Sequence, residues 1–100
     1  MNFKDKVVII TGATSGIGEA CAEVFGREGA KIAITGRNPE KLQASLLNLQ
    51  SKGIEAISIL ADAASEQDNK KIATETIAQF GRIDILINNA GISMRALFED

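Results

Sequence analysis

Four short apolar runs limit the folds open to this chain more than any other feature of its sequence. They lie at Val7–Ile10, Lys31–Thr35, Ala56–Ala61 and Ile83–Ile87. Their apolar residues are nearly continuous rather than alternating with polar ones, which is typical of strands that are covered on both faces. The runs therefore predict a parallel sheet packed between two layers of helix.

Segments with helical periodicity separate these runs. The apolar stripes of the three predicted helices are Ile17, Cys21, Val24 and Phe25, then Leu42, Leu46 and Leu49, then Ile72, Thr76, Ile77 and Phe80. Asn38 and Pro39 are suited to begin the second helix and Ser65 the third, and a glycine follows each stripe. The alternating order predicts an α/β fold, a doubly wound parallel sheet with four strands and three helices.

The composition excludes several classes of function. The net charge is −2 and aromatic residues make up 4%, without Trp or Tyr, so we expect no nucleic-acid surface. Without His and with Cys21 as the one cysteine, the sequence offers no His-based triad, no usual zinc site and no intramolecular disulfide. Cys21 itself reads as a small buried apolar residue. The run Val7–Ile10 is too short for a signal peptide or a membrane span, so we expect a cytoplasmic protein.

A glycine loop, Thr11–Gly18, joins the first strand to the first helix with the spacing G-x-x-x-G-x-G. Gly12 allows a tight turn, Gly16 lets the backbone approach a pyrophosphate, and Gly18 allows close packing of the helix. The N–H groups of the helix start then face the phosphates. We expect dinucleotide contacts at Gly12, Thr14, Ser15, Gly16, Ile17 and Gly18. The alternative is a tight turn without a ligand, whereas a P-loop is excluded because no Gly-Lys-Ser/Thr follows.

Two more motifs accompany this loop: Asp62 ends the third run, and Asn88–Gly91 follows the fourth. Together the three motifs resemble the short-chain dehydrogenase/reductase family, over essentially the whole chain. The resemblance implies a Rossmann-like fold and hydride transfer between a nicotinamide cofactor and a small carbonyl or alcohol substrate. It also implies a homo-oligomer when the protein is complete.

The end of the second strand distinguishes between the two nicotinamide cofactors. An acidic residue there would bind the ribose 2′-hydroxyl of NAD, but the sequence has Arg37. A guanidinium suits the 2′-phosphate of NADP through a charge-assisted contact. We therefore expect NADP rather than NAD, the alternative being a solvated surface arginine.

The resemblance assigns the remaining cofactor residues. Asp62 would hydrogen-bond the adenine amino group and Ala63 would line the adenine pocket, where the family commonly has a larger valine or leucine. Asn89, Ala90 and Gly91 would lie along the cofactor ribose, while Asn88 is expected to be structural. A turn before a helix is the alternative role for Asp62, and the acids Asp68, Glu75 and Glu66 read as a solvated helix face.

The catalytic residues of the family are not expected among these residues. Its acid/base is a tyrosine in a Tyr-x-x-x-Lys pair, and the chain contains no tyrosine. A complete dinucleotide fold has about six strands in two halves, so we expect residues 1–100 to be one incomplete NAD(P)-binding domain, with a further helix beginning within Ser93–Asp100. The alternatives are a nucleotide-binding module without activity and an adenosylmethionine-dependent methyltransferase, against which Arg37 argues.

Overall fold

A computed structural model describes residues 2–13, 16–89 and 93–96. The strands are β1 (Val7–Thr11), β2 (Lys31–Gly36), β3 (Ala56–Leu60), β4 (Ile85–Asn88) and β5 (Ser93–Ala96). The helices are α1 (Gly16–Arg27), α2 (Pro39–Ser51) and α3 (Glu66–Phe80). The sheet has the order β3-β2-β1-β4-β5, in which the first four strands run parallel and β5 runs antiparallel to β4. The four predicted parallel strands and three helices are thus confirmed.

The segment after the fourth strand differs from the prediction. Ser93–Ala96 was expected to begin a helix, and this is wrong: it forms β5, with Ser93 opposite Asn88. Without β5, the backbone groups along one side of β4 would have no strand to pair with, and a strand edge of this kind favours pairing with nearby chain. The remainder of that expected helix, 97–100, lies outside the described residues.

The sheet is covered on both faces, as the continuous apolar runs predict. Residues of β1 alternate between the two faces, so that Val8 and Ile10 pack with the core under α1 and α2. Ile9 packs on the opposite face with Ile72 of α3. The three residues of β1 are at most 2% exposed, which explains why β1 has no polar face in the sequence.

Helix α1 packs on the sheet with a face that coincides only partly with the predicted stripe, since Cys21 and Phe25 pack against the core and the other two residues of the stripe do not. Ile17 and Val24, which the periodicity placed in the core, are 69% and 61% exposed. The residues of α1 that are buried are Gly18 and Ala22. A Cβ at Gly26 would lie 2.5 Å from Cγ2 of Ile54. Because small residues let α1 approach its neighbours closely, its buried face carries no strong apolar signal in the sequence.

The other stripes and the caps follow the sequence more closely. Cys21 and Phe25 are half-buried against the core of α1 and α2, whereas Ile77 of α3 is exposed. The Asn38 side chain accepts a hydrogen bond from the N–H of Lys41, at 3.0 Å. This cap, together with the proline that follows it, confirms the predicted start of α2.

A buried carboxylate joins β1 to the entry of β4 at the amino ends of the strands. Asp84 is 2% exposed, and its Oδ2 accepts from the N–H of Val7 at 2.8 Å. Its Oδ1 accepts from the Arg82 guanidinium at 2.7 Å. Burial raises the pKa of Asp84, but the hydrogen bonds from Arg82 and Val7 outweigh it, so that the pKa lies below its usual value. This contact was not predicted from the sequence.

No helix in the described part of the chain is long and apolar enough to cross a membrane.

Candidate functional site

The predicted site residues gather at the carboxyl ends of the parallel strands. The glycine loop follows β1, Arg37 follows β2, Asp62 follows β3 and Asn89 follows β4. The strand order reverses between β1 and β4, because the connections through α1 and α2 lead to one side of β1 and the connection through α3 leads to the other. A crevice at such a reversal is where open α/β sheets bind their ligands.

The three glycines of the loop occupy different environments. Gly12 has φ 65°, a left-handed conformation that suits the tight turn predicted for it. A Cβ at Gly18 would lie 2.8 Å from both the Cα of Ala13 and the carbonyl oxygen of Gly12, so this glycine is required for packing. A Cβ at Gly16 would meet nothing within 4 Å. Gly16 is therefore not required by its contacts with the described residues, and the space above it is open to a ligand.

The end of β4 holds the glycine loop in place. The Asn89 Nδ2 donates to the carbonyl oxygen of Gly12 at 3.0 Å, and the Thr11 hydroxyl donates to Oδ1 of Asn88 at 3.1 Å. From the other side, the N–H of Ala13 donates to the carbonyl oxygen of Thr35 at 3.1 Å. The two asparagine side chains thus satisfy polar groups at the end of β1, which agrees with the structural role expected for Asn88.

Arg37 lies directly after β2 with an exposed side chain. The described residues include no ion-pair partner for its guanidinium. Asn38 follows it and caps α2, so the amino end of that helix lies beside the arginine. A positive side chain next to a helix N-terminus favours an anion at this position.

The turn Asp62–Ser65, which we call the 62–65 turn, links β3 to α3. The N–H of Ser65 donates to the carbonyl oxygen of Asp62 at 2.9 Å, and the N–H of Ala64 donates to Oδ1 of Asp62 at 2.9 Å. The N–H of Ala63 has no acceptor among the described residues. Asp62 is thus a turn residue, and its Oδ2 has no partner among the described residues.

Two side chains from the first turns of α3 reach back to this turn, and neither contact was predicted from the sequence. Asp68 was read as part of a solvated helix face, which is wrong: its Oδ2 accepts from the N–H of Asp62 at 2.7 Å. The Asn69 Nδ2 donates to the carbonyl oxygen of Ala63 at 2.9 Å. The Ser65-x-x-Asp68 spacing was the available signal, since a capping-box residue at this position characteristically reaches back before the helix.

Four predicted cofactor residues, Thr14, Ser15, Ala90 and Gly91, lie outside the described residues. Ile17 lies in the first turn of α1 with its side chain exposed.

Comparisons with known proteins agree with this arrangement. The family model described as short chain dehydrogenase matches residues 6–100. An oxidoreductase of Thermotoga maritima, named as uncharacterized, is 48% identical over 92 residues, which are 92% of this chain and 36% of that protein. This chain thus spans little more than a third of that relative.

Solved structures show the same similarity. A glucose dehydrogenase of Caenorhabditis elegans in its apo form matches with a TM-score of 0.83 and 40% identity, over 89% of this chain and 39% of that one. An actinorhodin polyketide ketoreductase crystallised with NADPH matches with a TM-score of 0.82 and 33% identity, over 89% of this chain and 34% of that one. With the glycine loop, Asp62 and Asn89 at the ends of successive strands of this fold, the chain belongs to the short-chain dehydrogenase/reductase family.

Proposed function

We propose that these residues form the cofactor-binding part of an NADP-dependent oxidoreductase. The observation that carries the proposal is the arrangement of two neighbouring strand ends. Helix α1 begins after β1 with Gly16, beside which the described residues leave space. Strand β2 lies next to β1, and the exposed Arg37 follows it. A dinucleotide with a 2′-phosphate places its negative groups on both positions.

The start of α1 fits a pyrophosphate. The N–H groups of a helix start point out of the helix and carry partial positive charge. No described residue lies within 4 Å of the place where a Cβ at Gly16 would stand, so phosphate oxygens would reach those N–H groups without a clash there. A turn without a ligand would not require glycine at position 16, whereas a bound pyrophosphate would.

The 62–65 turn fits the adenine ring. Adenine presents a donor, its 6-amino group, beside an acceptor, N1. The Oδ2 of Asp62 and the N–H of Ala63, neither of which has a partner among the described residues, offer the complementary acceptor and donor on adjacent residues. Ala63 is half-buried, and its small side chain provides less contact with the ring than a valine would.

The nicotinamide cofactor, once bound, donates or accepts the hydride. The chain's own part is to bind and orient it, since these 100 residues contain no tyrosine to serve as the family's acid/base. We therefore name no catalytic residue and expect these 100 residues alone to bind the cofactor without turnover. The proposal includes a small carbonyl or alcohol substrate, a cytoplasmic location and assembly as a homo-oligomer.

A nucleotide-binding module without activity is the second candidate, and the absence of tyrosine is the observation that favours it. Addition of NADPH and a panel of carbonyl compounds to the 100-residue chain and to the full-length protein separates the two. The enzyme proposal expects NADPH oxidation by the full-length protein alone. The methyltransferase alternative is not carried further, because the chain belongs to a dehydrogenase family.

The cofactor preference is tested by titrating NADPH and NADH against the wild type and Arg37→Asp. We expect the wild type to prefer NADPH by about 10- to 150-fold, the range that one hydrogen bond to a charged group provides. Arg37→Asp should reverse this preference, because a carboxylate repels the 2′-phosphate and accepts from the 2′-hydroxyl of NADH.

Lys4→Asp is the matched control for this experiment. It makes the same change of charge at an exposed residue near the amino ends of the strands, and it should leave the ratio of the two affinities unchanged. Equal affinity of the wild type for NADPH and NADH would refute the preference. Binding of neither cofactor would refute the dinucleotide site itself.

A further inference from the structure

The 62–65 turn is short, and part of its shape is imposed from outside by side chains of α3. Within the turn, two hydrogen bonds connect Asp62 to Ala64 and Ser65. Two more come from α3: the Asp68 carboxylate accepts from the N–H of Asp62 at 2.7 Å, and the Asn69 amide donates to the carbonyl of Ala63 at 2.9 Å. The two residues proposed to contact adenine are therefore each held by one side chain of the helix that follows.

These two contacts act on complementary parts of the backbone. Asp68 accepts from the backbone N–H of Asp62, and Asn69 donates to the backbone carbonyl of Ala63. Together they hold the backbone on both sides of the peptide between Asp62 and Ala63, whose N–H has no acceptor among the described residues. The direction of that N–H relative to the Asp62 carboxylate is the geometry that adenine needs.

We propose that Asp68 and Asn69 are positioning residues that hold the Asp62–Ala63 peptide in the orientation that recognises adenine. This inference rests on the proposed dinucleotide site. Neither residue touches the ligand, and each acts on the backbone between the two residues that do. Their effect is preorganisation: a turn already held in its binding shape loses less conformational entropy when the ligand binds.

The nature of the two side chains fits this role. A carboxylate that accepts a backbone N–H makes a charge-assisted hydrogen bond, which is stronger than a neutral one. Asp68 is also half-buried, so water competes poorly for the Asp62 N–H. The helix itself is anchored by its cap, since the Ser65 hydroxyl accepts from the N–H of Asp68 at 3.2 Å. The position of Asp68 is therefore set by α3 and not by the turn that it holds.

The experiment measures base discrimination in the full-length protein by calorimetry. The two ligands are NADPH and its hypoxanthine analogue, in which the 6-amino donor is replaced by an oxygen and N1 carries a proton. Both ligands make the same contacts with the glycine loop and with Arg37, so their affinity ratio reports on the 62–65 turn alone. The wild type should prefer NADPH.

Asp68→Ala should weaken NADPH binding by about tenfold, the lower end of what a hydrogen bond to a charged group provides. It should change binding of the hypoxanthine analogue by less than about twofold, so that discrimination is nearly lost. Asp68→Asn should restore it, because an amide oxygen also accepts from the Asp62 N–H. Glu66→Ala, which removes an exposed charge from the same helix turn, should behave as the wild type.

Each other outcome has a definite meaning. An Asp68→Ala variant that weakens both ligands equally, or that lowers only the melting temperature, would overturn the positioning role and leave the nucleotide site intact. A wild type that binds both ligands equally would also overturn the positioning role and leave the nucleotide site intact. If the wild type binds neither ligand, the proposed function fails and this inference fails with it. If Asp68→Ala does not fold, Asn69→Ala decides, with a loss of about threefold in the affinity ratio expected.

Discussion

The two ends of the sheet differ in whether a charged side chain is paired within the described part of the chain. At the amino ends, the buried Asp84 carboxylate accepts hydrogen bonds from the N–H of Val7 and the guanidinium of Arg82. At the carboxyl ends, Arg37 is exposed without a described partner and a Cβ at Gly16 would meet nothing within 4 Å. A polar group that is buried and paired serves the fold, whereas one left available at a crevice is suited to a ligand.

Helix α1 shows the same contrast within one element. Near its carboxyl end, a Cβ at Gly26 would run into the buried side chain of Ile54, so the glycine there serves packing. At its amino end, Gly16 has no such neighbour. The same residue type is thus explained by the protein's own packing at one end and by a proposed ligand at the other. Substitutions at the two ends should therefore separate stability from binding.

The largest effect on folding is expected from Asp84→Ala. It leaves the buried N–H of Val7 without its acceptor, and we expect the free energy of unfolding to fall by about 2–4 kcal/mol. Urea denaturation of the full-length protein measures this. Glu55→Ala, at an exposed acid, should stay within about 0.5 kcal/mol of the wild type. NADPH affinity of the folded Asp84→Ala protein should be unchanged, and a large loss of affinity would break the separation between the two ends.

A smaller effect of the same residue should appear in acid. Because the pKa of Asp84 is lowered in the folded state, its contribution is fully present above the unfolded value of about 3.9 and disappears as the pH falls through the folded value. Asp84→Asn has no such group, so the stability difference between it and the wild type should shrink below about pH 4. Unfolding curves at several pH values between neutral and acid measure it. A constant difference across that range would argue against the charged pair.

Much of the fold follows from local sequence, because the two central strands, β1 and β2, are buried along nearly their whole length. The runs around Ile9 and Ala33 predict parallel strands since both faces of each are covered. The start of α2 follows from Asn38 and its proline, since capping is a matter of neighbouring residues. β5 was missed because it forms by pairing with β4, and an open strand edge is a property of the assembled sheet rather than of the segment Ser93–Ala96.

The residues of the proposed site were also predicted only in part from the sequence. The glycine loop and Arg37 were located from sequence because glycine spacing and a charge after a strand are visible there. Asp68 and Asp84 were not, since each is defined by the N–H that it accepts. For Asp84 the partner Val7 is 77 residues away. For Asp68 the Ser65-x-x-Asp68 spacing was a signal, but a capping-box side chain reaches back to the N–H of the cap residue itself, and Asp68 instead accepts from the N–H of Asp62.

We infer that residue 16 is a glycine because a bound dinucleotide occupies the space beside it, and Gly16→Ala is the decisive variant. Gly16 does not have a positive φ and begins a helix, so alanine should keep the melting temperature or raise it slightly. NADPH affinity should fall by about 10- to 100-fold, the effect of overpacking by one methyl group. Gly26→Ala should do the reverse, lowering stability while leaving affinity unchanged. A Gly16→Ala protein that binds NADPH as tightly as the wild type would show that a bound dinucleotide is not the reason for glycine at position 16.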